Sequence, residues 1–351
     1  MERALLLAGR ARGRTTPNPM VGAVVVAPEG VVIGAGFHER AGEPHAEVHA
    51  LEEAGGAARG ATLYCTLEPC NHVGRTLPCV DRILESGVSR VVAAVEDPNP
   101  LVAGRGVERL RRAGVRVDVG TCGAQARRIN RPFFSVMRRG RPYVVLKAVT
   151  SLDGRVAAAG GGPTRLSGPA ADRRTHALRA EVDAVAVGSG TVLADDPLLT
   201  VRGVYRERPL ARVIFDRRLR TPVSARVLTT LDAGPVVVVA GPGAPAGAVR
   251  ALESAGARVV ASDGELVGAL RLLPPMGIQS ILVEGGPALH AAFWRRGTAD
   301  TVRLVVAPRV LGAGGVPWVE HPAAPWASWR LVSVAPCGAD VIIEADVHWT
   351  D

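Results

Sequence analysis

Apolar positions recur in two rhythms along this chain, and the switching between them predicts its layout. Residues 3–11 and 46–54 carry apolar side chains three and four apart, the spacing of one buried helix face, whereas 21–26 and 31–37 are short apolar runs that read as a hairpin. A strand at 62–67, a helix at 80–86, a strand at 91–95, a helix at 106–113 and a strand at 115–119 follow. Strands separated by helices predict a sheet covered by helices. The polar run Arg138-Arg139-Gly140-Arg141-Pro142 breaks both rhythms, which places a domain boundary there and divides the chain into 1–140 and 141–351.

The second half resumes with a strand at 143–149, a helix at 169–181 and a strand at 184–187. Strands at 211–215 and 236–240, a helix near 248–254, and strands at 258–261 and 281–283 come next. Gly285-Gly286-Pro287 then opens a helix to residue 296, and strands recur at 302–306 and 341–345. The small-residue stretch 157–162 reads as a mobile loop, and no internal repeat stands out. The expected fold class is α/β in both halves. A length of 351 residues suits two domains, and 47% apolar content fills two cores and excludes disorder as the main state.

No apolar run nears the ~18 residues that cross a bilayer, and the opening MERALLLAGRARGR lacks a long apolar stretch and a cleavage site. The expected address is the cytoplasm, without a membrane partner. The balance of 42 basic against 33 acidic residues gives a net charge of +9, which raises the question of nucleic acid. The arginines are dispersed, however, and an aromatic content of 4% makes a poor base-stacking platform, so the charge reads as solvated surface. Lys147 is the single lysine among those basic residues, which points to a need for a compact ammonium at that position. Five cysteines form an odd, scattered set that excludes a disulfide scaffold and directs attention to those that cluster.

The cluster lies in the first half. Pro44-His45-Ala46-Glu47 begins a helix, and Glu68-Pro69-Cys70 is followed by Pro78-Cys79. One imidazole and two thiolates make three ligands and leave a fourth tetrahedral position for water, the arrangement of catalytic zinc. Glu47, two residues beyond His45, is a carboxylate placed to carry the proton of such a water, the chemistry of hydrolytic deamination at an amidine-like ring carbon. Cys65, Cys122 and Cys337 read as ordinary thiols, and His49 as a supporting or surface residue. The set resembles the zinc-dependent cytidine/deoxycytidylate deaminase superfamily, with its H-x-E and P-C-x-x-C signature. Here eight residues separate the cysteines, so the insertion must loop out over the site, and it carries His72 and Arg75.

Longer runs narrow the resemblance. Thr16-Pro17-Asn18-Pro19-Met20-Val21-Gly22-Ala23, Gly36-Phe37-His38-Glu39-Arg40-Ala41-Gly42-Glu43-Pro44-His45-Ala46-Glu47, Thr66-Leu67-Glu68-Pro69-Cys70-Asn71-His72 and Asp97-Pro98-Asn99-Pro100 are similar to the bifunctional riboflavin-biosynthesis deaminase/reductase family. So are Leu146-Lys147, Ser151-Leu152-Asp153-Gly154-Arg155, Thr191-Val192-Leu193-Ala194-Asp195-Asp196-Pro197 and Val283-Glu284-Gly285-Gly286-Pro287 in the second half. The resemblance implies a cytidine-deaminase-like domain followed by a dihydrofolate-reductase-like domain. It implies hydrolytic deamination of 2,5-diamino-6-ribosylamino-4(3H)-pyrimidinone 5′-phosphate, then NADPH-dependent reduction of the ribosyl group to give 5-amino-6-ribitylaminouracil 5′-phosphate. Zinc, on His45, Cys70 and Cys79, and NADPH are the implied cofactors. Asn18, His38, His72 and Arg75 fall on substrate positions of the deaminase. Pro163, Arg179, Leu199, Arg202 and Glu284 fall on substrate positions of the reductase. Val149, Arg165, Thr191, Asp195, Arg217, Gly286 and Pro287 fall on cofactor positions, and Lys147 with Asp195 is the expected polar pair near the transferred hydride. The family also implies a homo-oligomer.

Two stretches depart from the family pattern. Gly162-Pro163-Thr164-Arg165-Leu166-Ser167 replaces a Ser-x-Trp segment, leaving backbone, Arg165 or Ser167 for contacts, and Arg217 follows Asp216 where a small residue is common. Arg217 suits a 2′-phosphate and equally suits solvent. Taken alone, Gly285-Gly286-Pro287 fits a tight turn as well as a phosphate-binding helix start, and Asp195-Asp196-Pro197 fits a plain turn. Two other functions compete: a deaminase acting on tRNA with a basic RNA-binding half, and a deaminase whose second half holds substrate or dimerises without catalysing anything.

Overall fold

Short valine-rich runs become the central strands of two sheets, one in each of the units Met1–Gly140 and Arg141–Asp351. The structure is a computed structural model that describes residues 1–71, 78–162, 164–320 and 329–347.

In the first unit the elements are α1 (Glu2–Gly9), β1 (Gly22–Val26), β2 (Val32–Phe37), α2 (Ala46–Ala54), β3 (Thr62–Cys65), α3 (Cys79–Ser86), β4 (Arg90–Ala93), α4 (Arg105–Arg112), β5 (Arg116–Val119), α5 (Gly123–Ile129) and α6 (Arg131–Arg139). The strands lie in the order β2-β1-β3-β4-β5. β1 pairs antiparallel with both β2 and β3, and the expected hairpin is the first of these pairs; β3, β4 and β5 run parallel. Ala23, Val25, Leu63, Cys65, Val91 and Ala93 face one core together with Ala46, Ala50 and Leu51 of α2. Glycines let the helices sit directly on the hairpin. A Cβ at Gly34 would meet the Ala50 carbonyl oxygen at 2.1 Å, and one at Gly22 would meet that of Ala4 at 2.0 Å. Helix α6 buries Phe133 and Phe134 and lays Arg138 over the Phe134 ring.

The second unit contains β6 (Tyr143–Ser151), β7 (Arg155–Ala157), α7 (Pro169–Glu181), β8 (Ala184–Gly188), α8 (Ser189–Asp195), β9 (Ala211–Phe215), β10 (Val236–Ala240), α9 (Ala246–Ser254), β11 (Arg258–Ala261), α10 (Leu266–Arg271), β12 (Ser280–Val283), α11 (Pro287–Arg295), β13 (Thr301–Ala307), β14 (Val316–Pro317), β15 (Arg330–Cys337) and β16 (Asp340–Asp346). One sheet takes the order β11-β10-β9-β8-β12-β6-β13-β16-β15, and β7 pairs with β14 apart from it. The strands from β11 to β13 are parallel and covered by helices, which explains their unbroken apolar runs; β16 and β15 close the sheet as an antiparallel pair. β15 is exposed along most of its length and shows no apolar alternation, so the pattern of the sequence passed it by.

Arg141, read from the sequence as part of a polar break, is instead an anchor. Its guanidinium donates to both Asp300 oxygens at 2.7 and 2.8 Å, and the Val144 amide donates to the same carboxylate, pinning the start of β6 beside β13. A buried forked pair of this kind fixes register more than it adds stability. Because β12 is inserted between β8 and β6, the strand order reverses there, the kind of switch point at which α/β sheets bind ligands.

Candidate active sites

Helix α2 begins where Pro44 ends the preceding loop, and its first turn brings His45 and Glu47 to the ends of β1 and β3. Cys79 is the first residue of α3, and its amide donates to the Cys70 sulfur at 3.3 Å, so the two cysteines meet despite the eight residues between them. His45 Nδ1 lies 3.0 Å from Cys79 Sγ and 3.5 Å from Cys70 Sγ, and the three donor atoms fall within 4.8 Å of one another. Donors on one tetrahedral zinc ion stand roughly 3.5–3.8 Å apart, so this set fits the metal. The hydrogen bonds Cys70 accepts from Cys79 and His45 outweigh burial and hold its thiol below the ordinary range, as a metal-ligating thiolate requires. His49, one turn beyond His45, packs its Cβ over Gly36 and is not part of this cluster.

Glu47 is 3% exposed, and burial pushes its carboxyl up to about 7 against the opposing effect of His45. Around it lies a cavity of about 300 Å³ lined by Asn18, His38, Leu67, Glu68, Asp97, Asn99 and Phe133 among others. His38 Nδ1 donates to the Pro44 carbonyl at 3.1 Å, which leaves Nε2 to accept from the Asn18 amide nitrogen at 3.0 Å. Burial lowers the His38 pKa, consistent with this neutral form. Asn18 and His38 therefore come together as expected, while His72 and Arg75 lie outside the described residues. Phe133 is a cavity residue that sequence reasoning did not single out, and Asp97 and Asn99 stood out there only as part of a family-like run without a site role.

In the second unit Lys147 sits midway along β6, buried, with its Nζ 3.9 Å from Glu284 just beyond β12. Arg179 of α7 holds both Glu284 oxygens, at 2.8 and 2.9 Å, and donates to the Thr200 carbonyl. Burial would raise the Glu284 pKa, but Lys147 and Arg179 overcome this and bring it down to about 2. Burial lowers that of Lys147. Asp195, expected with Lys147 near the transferred hydride, ends α8 and is exposed, while the carboxylate facing Lys147 is that of Glu284 just beyond the neighbouring strand. Leu199 is buried with a left-handed backbone, φ 55°, and Arg202 reaches His176 of α7 through its amide and guanidinium. Arg206 ties the same segment down by donating to the carbonyls of Arg179, Ala180 and Val182 at the end of α7.

Gly286 caps α11 with Pro287 in its first turn, and Thr191 of α8 stands opposite, its hydroxyl 3.8 Å from where a Gly286 Cβ would be. A Cβ at Gly285 would come within 2.6 Å of the Leu289 Cδ2, so a larger residue there would make that side chain move. Val149 is half-buried farther along β6. Beyond α11 a cavity of about 800 Å³ opens at the ends of β8, β9 and β10, lined by Ser189, Asp216 and five arginines, Arg217, Arg218, Arg220, Arg295 and Arg296. Asp216 Oδ1 is buried there without a hydrogen-bond partner among the described residues. An arginine-rich cavity, in which Glu265 pairs with Arg296 and the Asp216 oxygen can accept from a ribose hydroxyl, fits a phosphate-bearing dinucleotide such as NADPH. Of the expected cofactor residues Arg217 lines this cavity, whereas Arg165 is 78% exposed and pairs with Asp172; Pro163, an expected substrate residue, is outside the described residues. The four further arginines were missed, although Arg217-Arg218-Leu219-Arg220 directly after a strand was a readable signal.

Residues 1–95 match the cytidine and deoxycytidylate deaminase zinc-binding region, and residues 142–343 match the RibD C-terminal domain. Fold and site together define a zinc-type cytidine-deaminase-like unit followed by an α/β unit of the RibD C-terminal kind. The riboflavin biosynthesis protein RibD of Aquifex aeolicus is 45% identical over 315 residues, which span 90% of this chain and 87% of that protein. The chain belongs to the RibD family. Among solved structures, Acinetobacter baumannii RibD is similar with a TM-score of 0.88 at 38% identity, over 99% of this chain and 97% of that one. A Thermotoga maritima diaminohydroxyphosphoribosylaminopyrimidine deaminase/5-amino-6-(5-phosphoribosylamino)uracil reductase gives 0.86 at 34%, over 99% and 97%.

Proposed function

We propose that residues 1–140 form the deaminase and residues 141–351 the reductase of riboflavin biosynthesis, acting in that order on one phosphorylated pyrimidine. The first unit hydrolyses the 2-amino group of 2,5-diamino-6-ribosylamino-4(3H)-pyrimidinone 5′-phosphate and releases ammonia. The second reduces the ribosyl group to ribityl, giving 5-amino-6-ribitylaminouracil 5′-phosphate. The observation that carries this reading is the convergence of His45, Cys70 and Cys79 beside a buried Glu47 in a pocket.

His45, Cys70 and Cys79 would hold zinc, which when bound makes water a nucleophile near neutral pH. Glu47, whose carboxyl burial pushes up, is placed to take up a proton and return it to the departing amine. His38 fixes the Asn18 amide so that its oxygen is left to accept from the pyrimidine. In the second unit Thr191, Gly286, Pro287 and Arg217 would hold NADPH, which supplies the hydride. Lys147 keeps an ammonium at the substrate carbon because Glu284 lies beside it, and Arg179 and Arg202 keep the substrate segment at α7.

A paired assay tests the reading: ammonia release and NADPH oxidation are followed separately on the diamino substrate, with equal amounts expected. Glu47→Gln should abolish ammonia release while zinc content and reduction of the deaminated substrate persist, and near-normal deamination by that variant would overturn the role of Glu47. Ammonia without NADPH oxidation would make the second unit catalytically silent. The reading includes a cytoplasmic homo-oligomer without a nucleic-acid partner, checked by light scattering and by a tRNA shift assay. Among the described residues no helix is long and apolar enough to cross a membrane.

A further inference from the structure

One buried carboxylate beside the deaminase pocket has no part in the chemistry above. Glu68 is 2% exposed and lies two residues before Cys70. Its Oε2 accepts the amides of Asp97 at 3.1 Å and Gly104 at 2.8 Å, and its Oε1 accepts those of Gly106 at 3.0 Å and Val107 at 3.2 Å. The last two amides belong to the first turn of α4, which has no side-chain cap from its own N-cap residue, Gly104. A carboxylate at a helix start satisfies donors that would otherwise be orphaned and complements the positive end of the helix. The contact is close on the backbone side as well, since a Cβ at Gly106 would meet the Pro69 carbonyl oxygen at 2.0 Å. Between the two anchored ends, Asp97 and Asn99 line the pocket around Glu47. That stretch is shaped by its own turns, in which Asp97 accepts the Asn99 amide and Asn99 accepts the Leu101 amide. Those turns fix the local shape of the stretch, and the Glu68 amide, donating to the Val95 carbonyl at 2.9 Å, ties only its beginning to the metal-ligand segment; beyond Val95 the Glu68 carboxylate makes the ties.

We propose that Glu68 is a positioning residue for deamination: its carboxylate latches the segment 97–107 to the segment that carries Cys70, and so sets where Asp97 and Asn99 meet the pyrimidine. The inference rests on the deaminase reading of this pocket. A latch that holds binding groups in place acts on ground and transition states alike, so its loss raises KM more than it lowers kcat. Glutamine keeps the size of the side chain but turns an NH2 group toward two of the four amides, which then lose their acceptor.

The test is Glu68→Gln in the full-length, zinc-loaded protein, measured by deamination kinetics, zinc content and hydrogen exchange. The expected result is a KM for the diamino pyrimidine raised about tenfold or more with kcat within about twofold, zinc retained, and faster exchange at Asp97, Gly104, Gly106 and Val107. An unchanged KM would overturn the proposal, and so would unaltered exchange. Loss of zinc and of kcat at unchanged KM would also overturn it, because Glu68 would then support only the ligands. Gly106→Ala displaces the same segment with Glu68 intact and should give the same kinetic signature; it decides the matter if Glu68→Gln does not fold. Wild-type protein that releases no ammonia would refute the deaminase assignment itself, a failure visible without either variant.

Discussion

Replacing Glu284 by glutamine probes the polar centre of the second unit. The carboxylate is 11% exposed and is shared by Arg179 and Lys147, so the variant leaves two buried cations facing a neutral amide. The Glu284 pKa of about 2, against an ordinary value near 4.5, corresponds to about 3 kcal/mol of preference for the ion at about 1.4 kcal/mol per pH unit. Breaking a buried pair from one side costs about 3–5 kcal/mol, which agrees. For a unit of this size about 3 kcal/mol lowers the melting transition by roughly 6–12 °C. The pH dependence has a definite sign. A depressed folded-state pKa contributes stability that is complete above about pH 4.5 and is lost as the pH falls toward about 2. The gap between wild type and Glu284→Gln should therefore be constant around neutrality and shrink in acid. Thermal melting at about pH 7 and about pH 4, read on the transition of the second unit, measures it, and reduction kinetics should worsen while deamination persists. A variant as stable as wild type near neutrality, or a gap that widens in acid, would refute the ion-pair account.

The other predictions concern residues around the same unit and its cofactor. Arg206→Ala should cost about 2 kcal/mol by freeing the α7 carbonyls and should raise the reductase KM through the displaced Leu199–Arg202 segment, as denaturation and steady-state kinetics would show. Arg217→Ala should raise the KM for NADPH by about tenfold more than that for NADH if its guanidinium reads the 2′-phosphate; equal effects on both would place it against solvent. Lys147→Ala should lower reduction at least about tenfold without touching deamination, and Lys147→Arg should not restore it; loss of both activities would indicate misfolding.

Much of the arrangement was legible in residue spacing, and the exceptions have physical reasons. The β1–β2 hairpin, α2, α7 and the parallel strands carry enough repeats of one period to declare themselves. Helices α5, α8 and α10 have six or seven residues, fewer than two turns, so no period forms. The metal ligands were readable because two short motifs carry them: His45 stands with Glu47 at the start of α2, and Cys70 precedes Cys79 at the start of α3. The partner of Lys147 was not, because Glu284 reaches it only once β12 has inserted beside β6. Arg141 misled in the same way: its partner Asp300 lies 159 residues away, and no local pattern reports such a pairing. Glu68 stood in plain view within a motif, but the four amides it gathers come from 29 to 39 residues downstream.

The glycines under α2 carry a consequence for how this protein can change. With Gly34 against the Ala50 carbonyl and Gly36 against the His49 Cβ and the Ala46 carbonyl, helix and strand touch backbone to backbone over the turns that follow His45. A methyl group added at either place would have to push the whole helix outward, and His45 and Glu47 would travel with it, away from the cysteines that α3 and its preceding segment hold in place. Substrate preference can drift through the pocket's loops while the reacting centre stays put, because the spacing between sheet and helix works as a hard stop. Laboratory evolution of new amino-ring substrates should accordingly accumulate its changes around residues 16–20, 38–43 and 97–103, and leave Gly34 and Gly36 untouched.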